Sequence, residues 1–142
     1  MKPKLLIDSI SLLSSLTGIG IYTFEIAKKI EQKEEFDSNY FYGYYSKKLI
    51  HPSSKKDVNT FKSLISKNPI LKKIARKIIF FSSKIFAPRY DIYWQPNFIP
   101  NDGIKAKKIV TTVHDFSFIL HKDFHPKERI EYFENYFFKN IV

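Results

Sequence analysis

Two hydrophobic periodicities alternate along this chain, one typical of buried strands and the other typical of amphipathic helices. Residues Lys4 to Asp8 (KLLID) form a short apolar run that predicts a first buried strand. From Ile19 to Ile30, apolar residues recur at helical spacing and lysines fill positions between them, which predicts a helix. The chain is therefore expected to begin with a strand, a glycine-containing loop and a helix.

The same alternation continues to the end of the chain. The aromatic run Asn39 to Tyr45 predicts a second strand, and the β-rich runs Asp91 to Trp94 and Ile109 to Val113 predict two more. The middle, from Leu49 to Pro88, has helical periodicity and many lysines, and Pro126 suits the first turn of a closing helix. The apolar face of that closing helix is expected to comprise Ile130, Phe133, Phe137 and Ile141.

The order of these segments predicts the fold class. Strands that alternate with helices, joined by connections too long for hairpins, favour a mainly parallel sheet flanked by helices. We therefore predict an α/β, Rossmann-like domain, for which 142 residues with 44% hydrophobic residues supply enough core. The sequence stops at Val142 inside an aromatic helical pattern without a cap. We expect residues 1–142 to be one domain of a longer, truncated chain, or this aromatic end to mediate self-association.

Composition favours an anionic partner. The chain has 24 Lys and Arg against 14 Asp and Glu, a formal net charge of +10, which fits a nucleic acid, an acidic membrane surface or a phosphorylated small molecule. The absence of cysteine excludes disulfides, cysteine-ligated zinc and a thiol nucleophile. No apolar run approaches the roughly 20 residues of a membrane-spanning helix. Asp8 interrupts the apolar N-terminus, so no signal peptide is predicted and we expect a cytoplasmic protein.

The loop before the first predicted helix contains Gly18 and Gly20, a placement typical of phosphate sites in open parallel sheets. Backbone N–H groups and the helix dipole meet there, and Thr17 suits the N-cap position. Thr23 stands where the dinucleotide motif has its third glycine, and no acidic residue ends the second predicted strand. NAD and ATP sites of the standard kinds are therefore disfavoured, and a tight turn without a ligand is the alternative.

A second candidate, His114 with Asp115, directly follows the predicted strand Ile109 to Val113. The carboxyl ends of parallel strands meet at one edge of the sheet, so this pair is expected to face the same crevice as the glycine loop. The alternative is a histidine that only hydrogen-bonds its own loop.

A metal site is not predicted, although two more histidines follow in the sequence. His121 and His125 have the spacing of a helical pair, but Pro126 disfavours the helical conformation there. No other spacing typical of metal ligands occurs near them.

The basic middle of the chain contains candidate anion contacts. Apolar residues interleaved with lysines are typical of a helix that lies in a membrane interface and turns its cations toward anionic lipids. The candidate cations are Lys72, Lys73, Arg76 and Lys77. An ordinary surface helix explains the same pattern. Nucleic acid is not the expected partner, because the aromatic strand lacks the basic residue and glycine spacing of RNA-recognition motifs.

Several segments together carry a resemblance to a known family. They are LLIDSISL with TGIGIYTFEIAKKI, DIYWQPNFIP, and KKIVTTVHDFSFILHKDFHPKERIEYF. The chain resembles the N-terminal domain of the retaining glycosyltransferases of family 4, which have the two-domain GT-B architecture. The resemblance covers most of the chain and is most specific in TTVHDFSF and the HP that follows, whereas residues 46–88 do not contribute to it.

The resemblance implies roles for the candidate residues. They are Gly18 and Gly20 at the donor diphosphate, His114 and Asp115 as the catalytic pair beside the donor sugar, and Gln95 and Asn97 in the acceptor cleft. Members of the family often carry arginine where Ile21 stands here, so one cationic contact is missing.

The implied activity is transfer of a sugar from a nucleotide-sugar donor to a glycan or lipid-linked acceptor, in the synthesis of a surface polysaccharide. Neither a metal nor a cofactor is implied. The C-terminal, donor-binding domain of the GT-B architecture has no counterpart in these 142 residues, so the chain is expected to be inactive alone. Many relatives act at membranes, which fits peripheral contact with an anionic inner face. The alternative function is a basic membrane- or RNA-binding module on a Rossmann-like scaffold.

Overall fold

A computed structural model describes residues 1–13, 17–51, 88–98, 101 and 103–141 of the chain. The strands are β1 (Lys4–Asp8), β2 (Asp37–Phe41), β3 (Tyr45–Ser46), β4 (Tyr90–Gln95) and β5 (Ala106–Thr111). The α-helices are α1 (Gly18–Lys33), α2 (Ser117–Leu120) and α3 (Lys127–Ile141), with 3-10 turns at Ile10–Leu13 and Lys122–Phe124. The predicted first strand, first helix, third strand and closing helix are confirmed, each starting within one residue of the expected position.

The strands form one mixed sheet in the order β3-β2-β1-β4-β5. β1 pairs in parallel with both β2 and β4, and β4 pairs in parallel with β5. The predicted α/β class with a mainly parallel, Rossmann-like sheet is therefore confirmed. The chain runs from β1 to β2 on one side and places β4 on the other side of β1. This reversal opens a crevice beyond the carboxyl ends of β1 and β4, where ligands bind in sheets of this kind.

The second predicted strand is wrong in its second half. β2 ends at Phe41, the chain turns through residues 42–44, and β3 returns antiparallel to β2. Gly43 makes this turn with a φ of 91°, in the left-handed region that side chains disfavour. Aromatic residues favour strands on both sides of the turn, so the run as a whole resembles one strand. The last predicted strand is also displaced, because β5 spans Ala106–Thr111 instead of residues 109–113.

Apolar side chains cover both faces of the sheet. Leu5 and Ile7 of β1 pack on the face that α1 covers with Ala27, whereas Leu6 lies in the cluster on the opposite face with Tyr93. Alternate residues of a strand point to opposite faces, and both faces are covered here, which explains why Leu5 to Ile7 are continuously apolar before the terminal acid.

A third apolar cluster closes the carboxyl side of the fold. Phe118 of α2 and Phe133 of α3 stack with ring centroids 4.1 Å apart, and Phe98 and Phe137 complete the cluster. Phe133 and Phe137 are 6% and 4% exposed. These two rings are thus covered within the chain. The side chains after Phe137 lie outside the described residues, and self-association through the aromatic end stays a prediction.

Most of the predicted helical middle, Leu49 to Pro88, lies at residues 52–87, outside the described part of the chain. The cations proposed for membrane contact, Lys72, Lys73, Arg76 and Lys77, belong to this segment. Among the helices that the structure does describe, none is long and apolar enough to cross a membrane.

The β2–β3 turn generates a stability prediction. Gly43→Ala is expected to lower the free energy of unfolding by about 1–2 kcal/mol, because a Cβ is disfavoured at this positive φ. Gly18→Ala is the matched control, since a Cβ there meets no atom within 4 Å and alanine favours the helix. Urea unfolding of the three proteins measures the difference. Equal stability of Gly43→Ala and the unmodified chain would contradict the assigned turn.

Candidate functional site

The residues that follow the carboxyl ends of three parallel strands meet around one cavity. Gly18 follows β1, Phe98 follows β4, and His114 and Asp115 follow β5. This space, the His114 cavity, has a volume of about 460 Å³. The described residues that line it are Gly18, Ile19, Phe98, His114, Asp115, Ser117, Phe118, His125, Arg129 and Phe133. The structure therefore brings the start of α1 and the His114–Asp115 pair together, in a volume suited to a small-molecule ligand.

The two glycines of the predicted phosphate loop have different surroundings. Thr17 is the N-cap of α1, and its Oγ1 accepts a hydrogen bond of 3.2 Å from the Gly20 amide. Gly20 is buried and offers no free amide to a ligand. Gly18 is exposed, lines the His114 cavity, and has open space where a Cβ would stand. The N–H groups at the start of an α-helix have no partner within that helix, so Gly18 is the better candidate for a backbone contact with an anion.

His114 is held in one orientation. Its Nε2 lies 2.7 Å from the carbonyl oxygen of Pro96, and a carbonyl only accepts, so Nε2 must carry the hydrogen. Nδ1 of the neutral ring is then an acceptor. The ring makes edge-to-face contacts with Tyr22 and Phe98, at centroid distances of 5.0 and 5.6 Å. His114 therefore hydrogen-bonds its neighbouring loop, which was the alternative considered from the sequence, and it also lines the cavity.

Asp115 is fixed by Ser117. Its Oδ1 accepts hydrogen bonds from the Ser117 amide at 2.8 Å and from the Ser117 hydroxyl at 2.6 Å. These bonds are the main cause of a pKa of Asp115 below its usual value, with smaller contributions from the charges of His125 and Arg129. The carboxylate therefore stays ionised, and it can accept hydrogen bonds from a ligand.

Ser117 links His125 to Asp115 through two hydrogen bonds, and both donors point toward the carboxylate. Since the Ser117 hydroxyl donates to Asp115, its oxygen accepts from His125, whose Nε2 lies 2.9 Å away. In a catalytic serine triad the serine donates to the histidine and the carboxylate orients the histidine. Here the carboxylate binds the serine directly, so Ser117 and His125 act as supports of Asp115 and not as a nucleophile and its base.

Gln95 and Asn97 lie in a neighbouring network. Gln95 is buried and donates from Nε2 to Asp8 Oδ2 at 3.1 Å, while its Oε1 accepts from the Asn97 amide at 3.0 Å. Asn97 is exposed, and neither residue is among the described lining of the His114 cavity. These bonds make Gln95 a support of the loop, and the acceptor-cleft role implied by the resemblance stays a prediction for both Gln95 and Asn97.

Asp8 is the residue of this edge that the sequence analysis missed. It is 6% exposed, and its carboxylate accepts hydrogen bonds from the Ile10 amide, the Tyr93 hydroxyl and Gln95. Burial raises the pKa of Asp8 from 3.8 to about 6, against the lowering effect of those bonds. Burial and then the charge of Asp8 also raise the pKa of Tyr93, which stays a hydrogen-bond donor. An acid at the carboxyl end of a buried strand was the available signal.

The Asp8 network is connected to the cavity through Phe98. The Tyr93 hydroxyl accepts a hydrogen bond of 3.2 Å from the Asn101 amide, which ties the loop after β4 to Asp8. Within this loop Phe98 has a φ of 58°, a left-handed conformation that is strained for a bulky residue. Its amide donates to Thr112 at 3.1 Å, and its ring packs against His114 and Phe118. Such strain is often found beside functional sites.

Ser117 and Arg129 were also missed. Ser117 lies two residues after Asp115, and this spacing was the available signal for its bonds to the carboxylate, whereas Arg129 reaches the cavity only through the fold. Arg129 comes from α3 and Ser117 from α2, and both line the cavity. Within the described ranges, no group of three or more His, Asp or Glu side chains is arranged to hold a metal ion.

Comparisons with protein-family models, with curated proteins and with solved structures found no match to this chain.

The buried Asp8 generates a prediction about pH. The raised pKa means that the folded protein binds the Asp8 proton more tightly than the unfolded chain, so stability falls as pH rises from about 4 to 6. Asp8→Asn removes this pH-dependent contribution to the free energy of unfolding, because asparagine does not titrate. Between pH 4 and 7, the free energy of unfolding of the unmodified chain should therefore fall by roughly 3 kcal/mol relative to that of Asp8→Asn. Urea unfolding across that range measures the difference.

Asp91→Asn is the matched control at the opposite end of the sheet. Hydrogen bonds from Lys107 and Lys4 lower the pKa of Asp91, so its contribution to stability is lost as pH falls and the trend should have the opposite sign. A stability difference between the unmodified chain and Asp8→Asn that does not change with pH would contradict the assigned environment of Asp8.

Proposed function

We propose that this chain is the acceptor-side domain of a retaining glycosyltransferase, which moves a sugar from a nucleotide-sugar donor to a glycan or lipid-linked acceptor. The observation that supports it most is the meeting of Gly18, His114 and Asp115 around one cavity at the carboxyl edge of a parallel sheet. The resemblance of TTVHDFSF and TGIGIYTF to family 4 supplies the reaction class.

The chemistry of the cavity wall suits a sugar. Asp115 is an ionised acceptor whose Oδ1 is fixed by Ser117, and the bond from His114 Nε2 to Pro96 leaves Nδ1 as the ring nitrogen that can accept a second hydrogen bond. Two fixed acceptors match the hydroxyl groups of a sugar ring. Fixed groups lose little freedom when the ligand binds, which favours precise orientation of the reacting carbon.

The start of α1 suits the leaving diphosphate. Gly18 leaves open space beside the first turn of α1, whose dipole favours negative charge. Stabilising the charge that develops on a leaving group contributes directly to the rate. The domain would thus supply orientation and electrostatics, and the donor-side domain would hold the nucleotide.

A comparison of ligands with and without the sugar tests this proposal. We expect the full 142-residue chain to bind uridine diphosphate glucose or guanosine diphosphate mannose weakly, on the order of millimolar, and about tenfold more tightly than the matching nucleoside diphosphate. Asp115→Asn should remove this preference for the sugar-bearing ligand while leaving nucleoside diphosphate binding intact or stronger. Calorimetric titration measures both constants.

Asp123→Asn is the matched control, because Asp123 is exposed in the 3-10 turn and is not among the described lining of the cavity. It should keep the preference for the sugar. An unchanged preference in Asp115→Asn would contradict the proposal. Salt-sensitive binding of RNA or anionic vesicles without nucleotide-sugar binding, lost when Lys72, Lys73, Arg76 and Lys77 are neutralised, would support the rival basic module.

A second prediction concerns turnover. The chain alone should release no nucleoside diphosphate from either donor above the buffer rate, because the proposal assigns most nucleotide contacts to another domain. Coupled detection of the released diphosphate over hours measures this. Sustained turnover by the purified chain would contradict the acceptor-side assignment.

A further inference from the structure

Arg129 has an unusual position for a cation. It lies in the first turn of α3, where the positive end of the helix dipole disfavours positive charge and favours acids such as its neighbour Glu128. Its guanidinium lies 5.9 Å from the ring centroid of Phe133, one turn further along the helix. Both residues line the His114 cavity. Arg129 is exposed, and an anion bound in the cavity would compensate a charge that the helix dipole does not.

The described part of the chain does not supply that anion in direct contact. Its ion pairs are Lys2–Glu34, Lys47–Asp37, Lys107–Asp91 and Lys122–Glu134. Arg129 takes part in none of them. The charge of Arg129 contributes to the low pKa of Asp115, but the two groups form no ion pair within these ranges, and Asp115 Oδ1 is engaged by Ser117. As far as the described residues go, no carboxylate pairs with the guanidinium of Arg129, and its N–H groups can therefore bind a ligand.

We propose that Arg129 is the anion-binding residue of the His114 cavity and that it binds a phosphoryl group of the ligand. The planar guanidinium fork matches phosphoryl oxygens in two parallel hydrogen bonds. Packing against Phe133 restricts the side chain, so less freedom is lost on binding. With Asp115 on the same wall, the cavity carries a cation for the phosphoryl group and an acceptor for hydroxyl groups. The identity of the ligand as a nucleotide sugar rests on the proposed function; anion binding by Arg129 does not.

Titration of the full chain with inorganic pyrophosphate tests the inference. Arg129→Gln should weaken pyrophosphate binding about tenfold, and Arg129→Lys, which keeps the charge but not the fork, should weaken it about threefold. Lys127→Gln is the matched control, because it removes an exposed cation from the same helical turn outside the described cavity lining, and it should change binding less than twofold. Acetate at equal ionic strength should bind at least tenfold more weakly than pyrophosphate.

A second readout tests, without any ligand, whether the charge of Arg129 acts on the cavity wall as the structure indicates. Arg129→Gln should raise the pKa of Asp115, measured by nuclear magnetic resonance, because one of the charges that lower it is lost. If Arg129→Gln does not fold, Arg129→Lys and Lys127→Gln still decide the question. Equal effects of the substitutions at Arg129 and Lys127 would overturn the inference, and so would equal binding of acetate.

The outcomes also distinguish this inference from the proposed function. Pyrophosphate binding that depends on Arg129, without any preference for a sugar-bearing ligand, supports the anion site and contradicts the glycosyltransferase assignment. Nucleotide-sugar binding that Arg129→Gln leaves unchanged contradicts the role of Arg129 and leaves the assignment standing.

Discussion

The buried carboxyl group of Asp8 is the interaction on which the carboxyl edge of the sheet depends. Asp8 lies at the carboxyl end of β1, the strand that has β2 on one side and β4 on the other. Its carboxylate accepts hydrogen bonds from the Ile10 amide after β1 and from two side chains of β4, Tyr93 and Gln95. Through Tyr93 it also holds the loop that follows β4. Phe98 in that loop has a left-handed conformation, which costs about 1–3 kcal/mol, and its ring packs in the third apolar cluster. The ring of Phe98 then forms one wall of the cavity.

The lining of the cavity carries a negative charge at Asp115 and a positive charge at Arg129. Asp115 is fixed by Ser117, and Ser117 in turn accepts a hydrogen bond from His125, so the carboxylate is oriented before any ligand arrives. Arg129 supplies the positive charge, and no ion pair within the described ranges neutralises it. A ligand that carries both hydroxyl and phosphoryl groups uses both features. A purely anionic polymer would use only Arg129 and would be repelled by Asp115.

Hydrophobic periodicity was sufficient to predict β1, α1, α3 and the mainly parallel sheet, because each of these elements buries one continuous apolar stripe or run. It failed at Gly43, where aromatic residues on both sides of a hairpin favour the same extended conformation. It also missed the role of Asp8. An acid that ends an apolar run is typical of the exposed end of a strand, and the sequence does not show that Tyr93 hydrogen-bonds to it. Arg129 reaches the cavity from α3, far in sequence from Gly18 and Phe98, and spacing along the chain does not reveal that meeting.

The central claim is that the His114 cavity binds a sugar-bearing phosphate ligand. Amide chemical-shift mapping of the isotopically labelled chain, with uridine diphosphate glucose and guanosine diphosphate mannose as ligands, tests it most directly. The account predicts that one of these ligands shifts the amides of Gly18, Asp115, Ser117 and Arg129 together and saturably. Shifts spread over exposed lysines of the surface, or no saturable shifts at these four amides with either ligand, would contradict it.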